Sequence, residues 1–152
     1  VLRKLWTQES VTHRSTHEVI TGAGLAPLPR QRPIPIWFGA QAEPALFRAG
    51  RLADGWFPQV PPGPRLEQAM AQVAAGAHSV GRSSGAIGME GGVSFGSQGP
   101  TAVAAEVAAW QEAGASHVYI NPMGAGLRSI EAHLDALAAS ASALGLGRSA
   151  DG

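Results

Sequence analysis

From residue 34 onward the chain repeats one pattern four times: a short apolar run, then a longer stretch whose apolar residues recur at helical spacing. The runs are residues 34–39, 55–58, 86–95 and 116–121. The stretches after them predict helices over 44–53, over 65–82, through Val103, Val107 and Trp110 to a stop at Gly114, and over 129–144. Ala45, Ala49 and Leu52 share a face of the first helix, and Leu66, Met70, Val73, Ala77 and Val80 make one stripe on the second. Ile130, Leu134, Leu137, Ala141 and Leu144 align on the last. The third run is glycine-rich and predicts a bulge or a close backbone approach. Such alternation calls for parallel strands with right-handed helical crossovers, since a tight turn cannot join parallel neighbours. Four units make a small open sheet or half of an eight-unit barrel. A complete barrel takes about 250 residues and seldom fewer than about 200, and 152 are present. Half a barrel leaves two strand edges unpaired.

Residues 1–33 break the pattern and are read as a helix end, a hairpin and a loop. Val1, Leu2, Leu5 and Trp6 mark an amphipathic helix end. Residues 11–13 and 18–20 are β-type, with a turn at Arg14, Ser15 and Thr16, and residues 22–32 read as loop. The barrel-like part spans 34–145, and the small polar tail 146–152 is expected to fray. Because Val1 opens the chain in what reads as mid-helix, the sequence is expected to be a piece of something longer.

Charge excludes several function classes. Eleven basic and eleven acidic side chains cancel, so no strong field recruits nucleic acid or an anionic membrane. The absence of cysteine removes thiolate zinc sites, disulfides and a cysteine nucleophile. No run reaches the roughly 20 apolar residues of a membrane span, and a cytoplasmic protein is expected. His13 and His17 are four apart but fall across the hairpin, with no carboxylate pattern to complete a metal set, so no metal is expected. No Ser-His-Asp set, Walker-type lysine loop or nucleic-acid motif is present. Arg30, Arg32, Arg48, Arg51 and Arg65 lie scattered near loops, and the sequence does not choose among them as phosphate partners.

Three stretches carry a family resemblance. They are the run from Pro33 through Gly39 to Ala40, the segment from Ala45 to Asp54-Gly55-Trp56, and the segment from Glu112 to Asn121. In this order they resemble the luciferase-like monooxygenase superfamily, and residues 2–7 and 23–29 are similar to the family's segments just upstream. The resemblance implies an α/β fold: the C-terminal half of a TIM-type barrel, strands five to eight, after a hairpin insertion. It implies reduced FMN or the deazaflavin coenzyme F420 as cofactor. The reaction would be hydride transfer or oxygen insertion on a small organic substrate, by a homo-oligomer when full-length. The Asp-Gly-Trp and the ending Asn121-Pro122-Met123 look most like the deazaflavin-type branches. A non-catalytic half-barrel serving ligand binding or oligomerisation is the alternative. A barrel that binds a phosphorylated metabolite without redox work is a third.

Gly39, Ala40, Gln41 and Ala42 end a strand just before a helix N-terminus, where free N–H groups and the helix dipole favour an anion. The resemblance implies a cofactor phosphate or ribityl contact there, although Gln41 departs from the glycine common in deazaflavin members. Trp56, Glu90 and Asn121 are the substrate-binding candidates. Trp56 is core or pocket wall, and Glu90 faces substrate or is solvated or paired with an arginine. Asn121 is a polar group near the mouth. Asp54 caps or orients its strand junction. The family's acid–base groups belong to the other half of the barrel, so no catalytic residue is assigned.

Overall fold

A computed structural model describes residues 1–96 and 99–146. The chain divides into two compact units, Val1–Ile36 and the remainder from Trp37. The expected tail beyond Leu146 lies outside the described residues.

The first unit holds α1 (Leu2–Thr7) and an antiparallel hairpin of β1 (Val11–Arg14) and β2 (Val19–Ala23). Ser15 sets the turn: its hydroxyl oxygen accepts from the N–H groups of His17 and Glu18 at 3.2 and 3.1 Å. This side-chain turn delays β2 to Val19, a residue later than the alternation predicts.

The second unit contains four parallel strands in sequential order: β3 (Trp37–Ala40), β4 (Gly55–Pro58), β5 (Gly88–Ser94) and β6 (His117–Asn121). Helices α2 (Glu43–Leu52), α3 (Pro64–His78) and α4 (Pro100–Glu112) follow the first three strands, and α5 (Ile130–Ala143) follows the last. The fold is therefore α/β, four strand–helix units as in half of a barrel. β3 begins three residues later than the apolar run, past Pro33 and Pro35, which have no N–H for a ladder.

Residues alternate cleanly between the two faces of the sheet. Met89, Val93 and Trp56 join Leu46, Leu66, Val73, Val103, Val107 and Trp110 in the core between sheet and helices. Within this unit α2, α3 and α4 pack on that one face of the sheet.

Three helices end alike. The N–H groups of Arg82, Ala115 and Leu146 bond back to the carbonyls of Ala77, Trp110 and Ala141, each across a glycine (Gly81, Gly114, Gly145) at positive φ. This is the Schellman geometry that only glycine enters without strain. It cuts α3 short of the predicted residue 82 and turns Arg82 back toward α2. There the guanidinium donates to the carbonyls of Gly50 and Ala53 at 3.0 and 2.8 Å, neutralising the negative end of that helix.

α2 and α3 touch backbone to backbone. A β-carbon on Gly50 would overlap the Val73 carbonyl, and one on Gly76 the Phe47 carbonyl. The spacing of apolar residues locates each helix but misplaces parts of its buried face. On α2 the expected Ala49 is buried together with Leu46 and Gly50, while Leu52 is 55% exposed; on α3 Met70 and Val80 are exposed. On α5 Ile130 and Leu134 are 75% and 59% exposed, and Ala136 and Ser140 are buried instead. Small residues let α5 come close to its neighbour, and the Ser140 hydroxyl is satisfied by the Ala136 carbonyl at 2.8 Å. No helix among the described residues is long and apolar enough to cross a membrane.

The α2–α3 contact gives a test. Gly76→Ala raises helix propensity by about 1 kcal/mol, yet the overlap with Phe47 outweighs it, for a net loss of about 1–3 kcal/mol. Thermal unfolding should fall by roughly 3 °C per kcal/mol. Gly85→Ala, whose β-carbon meets only the Ser83 hydroxyl at 3.6 Å, should leave stability nearly unchanged. A Gly76→Ala chain melting at or above the parent would contradict the packing.

Candidate functional site

Glycines floor the uncovered sheet face, and aromatic rings lie across them. Trp37 covers both Gly55 and Gly88, where any β-carbon would overlap the indole. Its ring meets His117 edge-on at 5.2 Å and Phe57 at 5.6 Å. Ser116 fastens β6 beneath them: its hydroxyl accepts from the Met89 N–H at 3.0 Å, donates to the Met89 carbonyl at 3.1 Å, and lies 3.0 Å from His117 Nδ1.

Toward the carboxyl ends, the sheet splits. β5 and β6 stay in register from Glu90↔His117 to Ser94↔Asn121, so β5 has no bulge there. The β4–β5 register stops at Trp56↔Met89. The Asp54 carbonyl accepts from the Gly88 N–H at 2.9 Å, so residues 54, 56 and 58 turn their polar groups toward β5. Pro58 is the next in that series and has no N–H to give. An N–H at that position would serve the Glu90 carbonyl in this register; two residues further along β5, Trp110 of α4 donates its Nε1–H to the Gly92 carbonyl at 3.2 Å. Gly91 admits the Trp110 ring from below and Gly92 admits the Tyr119 phenol from above, since a β-carbon on either would collide. A crevice of about 310 Å³ results, lined by Pro58, Gln59, Val60, Pro61, Gly92, Trp110 and Tyr119.

A second cavity, of about 380 Å³, opens on the other side of β4, between the N-terminal turns of α2 and α3. Ala40, Gln41, Glu43, Trp56, Gln59 and Arg65 are among its walls. Ala42 caps α2 without a side-chain bond, and Pro44 removes one donor from the first turn. The Glu43 carboxylate also stands there. Arg65 is thus the one full positive charge among the residues that line it.

The structure divides the expected site residues between these places. Ala40, Gln41 and Trp56 meet in the notch between the helices, with Trp56 buried in the core. Gly39 is exposed and has open space where a β-carbon would project, and Ala42 is exposed at the helix start. Glu90 and Asn121 share the opposite, uncovered face: Glu90 is half-buried and opposite His117, and Asn121 is at the mouth end. The Asn121 side-chain oxygen accepts from the Met123 N–H at 2.9 Å, which commits it to its own turn. Sequence reasoning passed over Pro58, Gln59, Trp110 and Tyr119, and listed Arg65 only among scattered arginines. The paired Gly91-Gly92 beside a strand-ending proline was the available signal. Among the described residues no cluster suits a metal ion.

The indole bond is testable. Trp110→Phe keeps the ring and leaves the Gly92 carbonyl without its donor. A loss of about 1–3 kcal/mol in denaturant unfolding is expected, whereas an unchanged midpoint would mean that water serves Gly92 equally well.

Comparisons with known proteins agree with the fold. An F420-dependent secondary alcohol dehydrogenase in complex with an F420-acetone adduct is similar over 93% of this chain and 58% of its own, at 13% identity and a TM-score of 0.67. A coenzyme F420-dependent tetrahydromethanopterin reductase from Methanopyrus kandleri matches over 75% and 37%, at 18% identity and 0.53. A riboflavin lyase with modified FMN and substrate riboflavin matches over 68% and 23%, at 20% identity and 0.52. The chain thus spans less than two thirds of each of these proteins. The luciferase-like monooxygenase model matches residues 1–148, and the chain belongs to that family.

Proposed function

We propose that this chain forms the strand-five-to-eight half of a flavin- or deazaflavin-dependent oxidoreductase acting on a small organic substrate. The family match across residues 1–148 carries the reading, and among the solved proteins of similar fold one holds an F420-acetone adduct and another a modified FMN. The two cavities at the carboxyl ends of the strands lie where barrel enzymes work.

The notch suits the anionic part of such a cofactor. Arg65 offers a guanidinium, the α2 and α3 N-termini add positive dipole ends, and Gln41 and Gln59 add amide donors. Glu43 opposes an anion on one side only, and that asymmetry orients it toward Arg65. Trp37, lying on Gly55 and Gly88, and Phe57 beside it give an apolar floor that excludes water. The cofactor supplies the hydride or oxygen chemistry when bound, and the protein supplies position and electrostatics.

Fluorescence titration with FMN and, separately, with F420 tests this. One of them should bind saturably, and Arg65→Ala should weaken it about tenfold, as loss of a charge-assisted hydrogen bond does. Arg65 is exposed, so the variant should fold normally. A folded chain that binds neither cofactor would overturn the proposal.

A further inference from the structure

We propose that the crevice between β4 and β5 is a subsite for an uncharged carbonyl or alcohol compound, hydrogen-bonded by the Tyr119 hydroxyl. The assignment deepens the oxidoreductase reading and rests on it only for calling that ligand a substrate.

The crevice is built into the fold. Pro58 ends the ladder to β5, Trp110 donates to the Gly92 carbonyl beyond it, and glycine stands at both positions where the two rings press on the strand. Its volume of about 310 Å³ suits a small molecule.

Its chemistry selects neutral ligands. Among the described residues no charged side chain lines it, and the nearest one along the same face of β5 is the Glu90 carboxylate, which repels anions. The Gly92 carbonyl is occupied by Trp110, and the Gln59 side-chain nitrogen donates to the Phe57 carbonyl at 3.3 Å. What remains is the Tyr119 hydroxyl, which has no hydrogen-bond partner among the described residues, and the Gln59 side-chain oxygen. Tyr119 is 48% exposed and its hydroxyl end lies over Gly92. A phenol donor and an amide acceptor on one wall match a carbonyl, which accepts from the first, or an alcohol, which uses both. The notch beyond β4, with Arg65, has the opposite preference.

The chain has a single tyrosine, so ring-labelled [13C]tyrosine reports on Tyr119 alone in NMR. Titration with cyclohexanone and with cyclohexanol should shift that signal saturably, while cyclohexanecarboxylate, an anion of similar size, should not. Pro58→Val restores the missing N–H and closes the split, so the tyrosine signal should stop responding. In Tyr119→Phe, ligand-observed relaxation should report about tenfold weaker binding of cyclohexanone. An unshifted tyrosine with both neutral probes, equal binding of the carboxylate, or an undiminished response in Pro58→Val would each overturn the assignment. No flavin or deazaflavin is present in these samples, so this result and the cofactor titration fail or succeed independently.

Discussion

Trp37, Trp110 and Tyr119 each press a ring against strand backbone, and each can do so only because the strand residue beneath it is glycine. The rest of the sheet depends on this. Gly55 and Gly88 let one indole bridge β4 and β5 on the uncovered face. Gly91 and Gly92 let a second indole and a phenol hold β5 from its two sides. Glycine in a strand is unfavourable by propensity. Here the large contact area of the aromatic rings offsets that cost and fixes the positions of polar groups at the ring tips.

The helical layer shows the same use of small residues for another end. Gly50 and Gly76 bring α2 and α3 into backbone contact, and Arg82 then reaches the end of α2 from the turn after α3. Close packing and the charge at the helix terminus act on the same pair of helices. Their N-terminal turns are thereby held on the two sides of the notch that contains Arg65.

The alternation of apolar runs with helical stretches made the order of the four strand–helix units legible, because period is a local property of sequence. Which side of each helix is covered was less so. Ile130, Leu134 and Leu137 align as a buried stripe should, yet the contact is made by Ala136 and Ser140; period locates an apolar face without saying what lies against it. The glycines of β5 announced a close approach, and the partners of Gly91 and Gly92 came from residues 19 and 27 positions onward, which no local pattern reveals. Similarly, Trp56 and Glu90 looked equivalent as candidates. The pleat sends Trp56 to the helices and Glu90 to the open face, a parity fixed by the Trp56↔Met89 register rather than by either residue type.

Pro58 links the two cavities. Its missing N–H ends pairing with β5, while its pairing with Ala40 keeps it in register with β3. The chain just beyond it, Gln59 and Val60, therefore belongs to neither ladder and lines both spaces, the notch with Arg65 and the crevice with Tyr119. One short loop is thus a common wall between a cavity suited to an anion and one suited to a neutral molecule. An occupant of either proposed site would contact Gln59 or Val60, which also shape the other. That shared wall follows from a single residue that cannot donate a hydrogen bond.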